Sequence, residues 1–218
     1  MKIREKFKVP YKINDDWFYH WASEIPDDWG VKRGKYIFNH RKEINNLYQC
    51  DLVLALTLNG VMHKDDLEAR SLVPSDYATY QIFNSGDLVF KLIDLENYQT
   101  SRVGIVTERG IMSSAYIRIV SSSGMCSKFF YYYYFSLYLQ GIFNFLGMGV
   151  RSTLSQQDLL NIPVLIPPLE TQEKIAKYLD KSLGQMMTLE KKSKTSFSLI
   201  KEYRESLIYY TVTGKLKI

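Results

Sequence analysis

One polar stretch in the middle of the chain contains side chains that can hydrogen-bond to the edges of nucleic-acid bases. It runs from Asn97 to Arg102, between two segments rich in Val, Ile and Leu. Arginine pairs well with guanine, and asparagine and glutamine pair with adenine, because their donors and acceptors match those base edges. We expect further cations to flank the stretch. The predicted nucleic-acid-contacting set is Lys91, Asn97, Tyr98, Gln99, Thr100, Arg102, Arg118 and Arg151. Each of these residues, taken singly, is also compatible with an ordinary polar surface position.

The distribution of charge favours a polyanionic partner more than the total of +5 does. Residues 1–42 contain ten Lys and Arg against six Asp and Glu, whereas residues 43–96 contain three against nine. Residues 97–157 contain five basic side chains and Glu108 as the single acidic one. A polyanion such as DNA is expected to avoid the acidic stretch and to contact the basic ones.

No motif in the chain is typical of an enzyme. An adenine methyltransferase needs a glycine-rich cofactor loop and an Asn/Asp-Pro-Pro-aromatic motif, whereas Pro167-Pro168 lies between aliphatic residues. The nuclease-like pattern Glu190–Lys192 falls within a predicted helix, where a solvated face explains it. There is no phosphate-binding loop of the Walker type, and His20, His40 and His63 lack the spacing of metal ligands. The sequence therefore predicts a binding protein without a catalytic site, metal or cofactor of its own.

Two features bear on cellular location. Cys50 and Cys126 are far apart in apolar surroundings, which is typical of buried thiols in a reducing cytoplasm. Residues 129–150 carry no charge over 22 positions, a length that could span a bilayer. They include five Tyr and three Gly, and Tyr prefers membrane interfaces to the hydrocarbon centre. We therefore predict a buried helix here and a cytoplasmic protein.

The part of the chain up to about Pro167 is predicted to be mixed α/β. Candidate strands, separated by glycine-containing turns, are Leu52–Leu58, Asp87–Leu95, Arg102–Glu108 and Ala115–Val120. The Glu108-Arg109-Gly110 turn predicts a hairpin. Ser155 and Asp158 are spaced as a capping box for a short helix, and Ile162–Ile166 is predicted to be extended because prolines follow it.

From Leu169 to about Val212 the sequence predicts one long helix. Pro167-Pro168 suits its first turn, and Gly214 lies just past its end. Apolar residues recur at alternating spacings of four and three, as in a coiled-coil seam. The predicted seam residues are Ile175, Leu179, Met186, Leu189, Ile200, Tyr203 and Leu207. A helix of this length cannot cover such a stripe itself, so we expect a partner helix; the alternative is that it folds back onto its own domain.

The predicted fold class is α+β, a globular mixed α/β domain followed by one long coiled-coil helix. The predicted boundaries are an N-terminal extension at 1–20, the globular domain at 21–167, which the resemblance described next implies is a target recognition domain, the helix at 168–213 and a tail at 214–218.

Several short segments, in order along nearly the whole chain, resemble the specificity (S) subunit of type I restriction-modification systems. Residues 25–33 are similar to the opening of its target recognition domain, and residues 86–90 to a strand-entry motif within that domain. Residues 164–175 resemble the "PPLxEQ…I" junction with the family's long helix, whose usual ending resembles residues 204–216. Arg151, after Gly147-Met148-Gly149, is similar to a position near the family's DNA-facing loop.

The resemblance implies a non-catalytic subunit that recognises double-stranded DNA and directs methyltransferase (M) and restriction (R) subunits to a bipartite target. It also implies that S-adenosylmethionine binds to the methyltransferase subunit and that this chain binds no cofactor. The family subunit resembles two copies of this unit in tandem, so the chain corresponds either to a natural half-subunit that forms a homodimer through its helix or to a truncated first half. The alternative from another class is a coiled-coil scaffold or adaptor that does not bind DNA.

Overall fold

The computed structural model of the chain describes residues 16–22, 24–64, 76–96, 100–147 and 153–215. The chain divides into two units, Met1–Glu173 and Lys174–Ile218, which we call the globular unit and the helical unit. The predicted α+β class is confirmed, because the first contains strands and short helices and the second is helical.

The described residues form ten short strands, five helices and one turn of 3₁₀ helix, and no helix lies between β2 and β9 in this part of the chain. In chain order the elements are α1 Asp16–Trp21, β1 Gly30–Arg33, the 3₁₀ turn Gly34–Tyr36, β2 Phe38–Asn39, β3 Leu54–Thr57, β4 Gly60–His63, β5 Gln81–Phe83, β6 Leu88–Phe90, β7 Val103–Ile105, β8 Gly110–Met112, β9 Ile117–Ser121, α2 Ser127–Leu139, α3 Ile142–Leu146, α4 Gln156–Asn161, β10 Pro163–Ile166 and α5 Leu169–Val212.

Every strand pair within the described residues is antiparallel. The largest sheet has the order β2-β9-β6-β7, and three two-stranded sheets pair β1 with β10, β3 with β4, and β5 with β8. The four predicted strands correspond to β3, β6, β7 and β9. Gly60, which the sequence places in a turn between strands, has φ +100° in the tight β3–β4 turn. Glycine adopts this conformation without strain.

The hairpin predicted at Glu108-Arg109-Gly110 is wrong. Strand β7 pairs with β6, and β8 pairs with β5, so the two strands that flank this segment do not pair with each other. Gly110 is instead needed for a close approach, because a Cβ atom there would lie 2.5 Å from Leu54 Cγ and 2.9 Å from the Leu52 carbonyl oxygen. Turn residues indicate where a chain reverses, whereas pairing depends on side chains far away in sequence.

The uncharged stretch that begins at residue 129 is a buried helical region, as predicted. Helix α2 places Phe130 and Tyr134 in the core, where Phe130 packs edge-to-face on Phe38 and Tyr134 packs on Phe90. A second cluster, of aliphatic residues with Phe83, joins β3, β5, β6 and β8. None of the helices within the described part of the chain is long and apolar enough to cross a membrane.

The globular unit begins earlier than predicted. Phe18 is completely buried and Trp17 nearly so, although both lie within the segment assigned to an N-terminal extension ending at residue 20. Trp21 also packs edge-to-face on Tyr133 of α2. The aromatic side chains of α1 explain the difference, because their apolar area favours burial whatever the charge of the residues before them.

The C-terminal part of the globular unit follows its local signals. Ser155 and Asp158 form the predicted capping box at the start of α4, and the predicted extended segment forms β10. Gln172, in the first turns of α5, is buried; it donates to the Pro167 carbonyl oxygen at 2.8 Å and accepts from the Cys126 amide at 3.0 Å. These two bonds explain why the unit extends to Glu173 rather than to the predicted limit at 167.

Helix α5 is continuous over 44 residues, which corresponds to about 65 Å. It ends at Val212, and Gly214 follows with φ +68°, as expected of a helix terminator. Within the helical unit the predicted seam residues Met186, Leu189, Ile200, Tyr203 and Leu207 are exposed in the single chain. The local sequence therefore determines the helix, while its apolar face remains available.

Candidate nucleic-acid interface

Most of the predicted DNA-contacting residues lie on one connection, between β6 and β7. Phe90 pairs with Val103, and the Lys91 amide donates to the Arg102 carbonyl oxygen at 3.1 Å, so the ladder continues to both ends of the connection. The prediction of a loop between two strands is confirmed by this pairing. Asn97, Tyr98 and Gln99 lie outside the described residues.

A second segment meets the same connection. Arg151 lies outside the described residues, but the residues on either side of its segment are described. The Asn144 Nδ2 atom donates to the Leu95 carbonyl oxygen at 2.9 Å, and the Leu154 amide donates to the Leu92 carbonyl oxygen at 2.9 Å. The described flanks of the two predicted reading segments are therefore in direct contact, although the paired residues are 49 and 62 positions apart in sequence.

Lys91 and Thr100 are brought together at the ends of the β6–β7 connection. The Lys91 Nζ atom donates to Thr100 Oγ1 at 3.2 Å. Burial lowers the pKa of the Lys91 ammonium group, and the nearby Arg102 guanidinium lowers it further, because both disfavour the charged form. Partial burial leaves Lys91 in reach of a ligand at this surface, and a nearby phosphate would favour the charged form of its ammonium group.

The prediction that Arg102 contacts DNA directly is wrong for the conformation observed. Arg102 is almost completely buried, and its two terminal nitrogens donate to the carbonyl oxygens of Ile93 at 3.2 Å and Asp94 at 2.5 Å. A guanidinium group enclosed in this way cannot reach a base edge. An arginine at the end of a polar stretch is usually exposed, and only the packing of β7 shows otherwise.

Arg118 is likewise a structural residue rather than a DNA-contacting one. It lies on β9 in the large sheet, where its Nε atom donates to Asp87 Oδ2 at 2.5 Å and its Nη1 atom lies 3.2 Å from Glu43 Oε2. Burial raises the pKa of the Asp87 carboxyl group, although the Asn84 amide and Arg118 act in the opposite direction. The Arg118 side chain is 6% exposed, so its charge is paired with carboxylates of the globular unit rather than exposed to a ligand.

The sequence did not reveal a cavity of about 560 Å³ on the globular unit. Its lining residues are Lys35, Ser155, Gln156, Gln157, Leu160 and Asn161. Ser155 directly follows Leu154, so this cavity begins next to the contact with the β6–β7 connection. A cation beside two amides can bind phosphate and base edges, and residue spacing alone gave no signal of it.

The described residues show no metal-binding group of three or more His, Cys, Asp or Glu side chains. His63 Nε2 lies 2.6 Å from Glu108 Oε1 at the surface, and His40 Nδ1 lies 2.9 Å from the Arg118 carbonyl oxygen. His63 and His40 therefore each contact another residue of the globular unit rather than a cluster of metal ligands.

The described residues thus form a mixed α/β unit, in which the flanks of the two predicted reading segments are in contact, and a long helix with exposed apolar side chains. The chain belongs to the family described as "Type I restriction modification DNA specificity domain", whose model matches residues 31–196. The match covers most of the globular unit and more than half of α5. Specificity domains of this family are not catalytic, so the predicted class, a DNA specificity protein rather than an enzyme, is confirmed.

Solved structures agree with the fold. The chain is similar to the HsdS subunit from Thermoanaerobacter tengcongensis, with 16% identity and a TM-score of 0.52, over 79% of this chain and 41% of that one. It is also similar to a chain from a structure on complex assembly and conformational transition of the type I R-M system, with 14% identity and a TM-score of 0.61, over 88% of this chain and 47% of that one. The chain thus spans less than half the length of these solved relatives. No curated protein sequence matches it.

Proposed function

We propose that this chain recognises one half of a bipartite DNA target and directs the methyltransferase and restriction subunits of a type I system to it. The family match across residues 31–196 is the observation that carries this proposal, because it includes most of the globular unit and more than half of α5. S-adenosylmethionine and the methyl-transfer chemistry belong to the methyltransferase subunit in this scheme. Because the proposed role requires access to cellular DNA, we propose the cytoplasm as its location.

The proposed reading surface consists of the β6–β7 connection and the segment that contains Arg151. Asn97 and Gln99 have the side chains that pair with adenine, and Arg151 has the one that pairs with guanine. Tyr98 offers a ring for packing, while Lys91 with Thr100 contacts phosphate. The contacts of Asn144 and Leu154 with the β6–β7 connection support a single surface, because they bring the described flanks of both segments together.

We propose that a second copy of the chain covers the helical unit, with the two helices antiparallel. The exposed seam in the helical unit needs a partner of similar length, and an antiparallel pair of identical helices has two-fold symmetry. Each copy would then recognise the same half-site, and the target would be a split palindrome. If the chain is instead a truncated first half, a second helix of the longer protein would take the place of the second copy.

The test of sequence recognition is selection from a pool of random duplex DNA. We expect the chain with its methyltransferase subunits to enrich one bipartite motif, and the chain alone to bind weakly and in a salt-dependent manner, because one small domain makes few phosphate contacts. An adaptor would enrich no motif and would show no salt-sensitive affinity. Nanomolar sequence-specific binding by the chain alone at physiological salt would contradict the proposed dependence on the methyltransferase subunits.

Single substitutions test the reading surface. Gln99→Ala and Arg151→Ala should each weaken specific binding by about 1–3 kcal/mol and relax the preference at one position of the motif. Lys91→Ala should instead weaken binding to all sequences to a similar extent, because a phosphate contact carries no sequence information. If Gln99→Ala and Arg151→Ala both leave the enriched motif unchanged, the reading surface lies elsewhere on the globular unit.

A further inference from the structure

Four consecutive carbonyl groups, from Leu92 to Leu95, each accept a hydrogen bond from a group outside the segment. Leu154 donates to the first through its amide, and Asn144 donates to the last through its side chain. The guanidinium group of Arg102 donates to the two in the middle, on Ile93 and Asp94. Carbonyl groups of irregular segments are usually left to water, so four protein donors in a row indicate a backbone held in one conformation.

The side chains and backbone angles of the segment agree with this. Leu92 and Leu95 are each 1% exposed, so the segment is anchored at both ends in the core. Asp94 has φ +58°, a left-handed conformation that is uncommon outside glycine, asparagine and aspartate. The planar fork of Arg102 suits two neighbouring carbonyl oxygens better than a single point charge would.

We propose that Arg102 and Asn144 are positioning residues for DNA recognition, which hold the Leu92–Leu95 backbone and thereby fix the described flanks of the two predicted reading segments. This inference rests on the proposed function. It assigns these two side chains a role in specificity without contact to DNA. Arg102 acts from the end of the β6–β7 connection, and Asn144 acts from α3, just before the segment that contains Arg151.

The test compares Arg102→Met with Arg33→Met in the full chain. Arg33 is a matched control, because it is also buried and also donates to a backbone carbonyl, that of Asn161, at 2.7 Å. Two measurements are made on each variant: hydrogen exchange of the Leu154 amide, whose acceptor is the Leu92 carbonyl oxygen, and binding of the selected duplex against a scrambled duplex in the presence of the methyltransferase subunits.

For Arg102→Met we expect at least about tenfold faster exchange at Leu154 and about tenfold weaker binding of the selected duplex, since losing the two guanidinium hydrogen bonds together is worth at least roughly a factor of ten. Binding of the scrambled duplex should stay within about twofold, because phosphate contacts are unchanged. Arg102→Lys should restore part of both effects, because one ammonium group replaces the fork incompletely. Arg33→Met should lower the thermal midpoint without changing exchange at Leu154 or the ratio of the two affinities.

Asn144→Leu provides the test should Arg102→Met fail to fold, because Asn144 is only half-buried and its loss removes one bond. Unchanged exchange at Leu154 in these variants would overturn the inference, as would faster exchange with undiminished specificity. If the wild-type chain selects no motif but its variants still show faster exchange, the side chains do hold the Leu92–Leu95 backbone. In that case the proposed function is wrong, and so is the assignment of these residues to specificity.

Discussion

The globular unit and the helical unit differ in the burial of their apolar side chains. In the globular unit Phe83, Phe90 and Phe130 are completely buried among residues of the same chain. In the helical unit Met186, Leu189 and Tyr203 each remain more than 60% exposed, although their spacing is that of a seam. Exposed apolar stripes of this length mark interaction surfaces. The difference indicates that one unit is stabilised by its own core, whereas the other is completed by a partner.

The largest effect expected is on pairing of the helical unit. Leu179→Glu together with Leu207→Glu places charges near both ends of the seam, where antiparallel helices would bury them together. Such a change should weaken self-association by more than about a thousandfold, because buried unpaired charges each cost several kcal/mol. Sedimentation at micromolar concentration should show a wild-type dimer and a monomeric variant.

The matched control for pairing is Lys191→Glu with Ser198→Glu, which adds two carboxylates on the side of the helix opposite the seam. This variant should remain dimeric. A monomeric wild-type chain, or a dimer unaffected by the seam substitutions, would contradict pairing between copies and favour a truncated first half.

Gly110→Ala tests how tightly the core of the globular unit is packed. The added Cβ atom would overlap Leu54 and approach the Leu52 carbonyl oxygen, so we expect a loss of about 1–3 kcal/mol in the free energy of unfolding of the globular unit. Chemical denaturation measures this directly. Gly30→Ala is the control, because its Cβ atom would meet Ile166 at ordinary contact distances of 3.6 and 3.7 Å. Equal stability of the two variants would show that this core accommodates extra volume.

Shortening the chain tests whether the globular unit is independent. A fragment of residues 1–173 should unfold cooperatively without the rest of α5, whereas a fragment of residues 1–167 should be less stable by about 1–3 kcal/mol. The difference arises because the shorter fragment loses both hydrogen bonds of the buried Gln172 side chain. Gln172→Ala in the longer fragment should reproduce most of that loss in thermal unfolding. No cooperative transition in the 1–173 fragment would show that the units depend on each other.

Gly184→Ala should have the smallest effect and the opposite sign. A Cβ atom at this position meets nothing within 4 Å, and alanine favours a helix over glycine by about 1 kcal/mol. Gly184 lies off the seam, so the melting temperature of the helical unit should rise while the dimer persists. Weaker self-association in this variant would place the partner helix against Gly184 rather than against the predicted seam.

Local sequence signals determined much of this protein. Pro167-Pro168 and Gly214 bracket the long helix α5, and Ser155 with Asp158 forms the capping box of the short helix α4. Runs of Val, Ile and Leu coincide with β3, β6, β7 and β9. Each of these signals acts over a few residues, through backbone angles, capping bonds or side-chain periodicity, and such interactions are present in the sequence itself. The motifs along the chain also identified its family.

The tertiary structure alone decided which cations are available to a ligand. Arg118 is enclosed because β9 pairs with β6, which places Asp87 beside it from 31 positions away, and Glu43 approaches from 75 positions away. Arg102 is enclosed because two carbonyl groups of the β6–β7 connection turn toward it. Burial depends on partners distant in the chain, which residue type and spacing do not report. The same separation explains why the pairing of β5 with β8 was not predicted, since strands far apart in sequence meet only through the packed core.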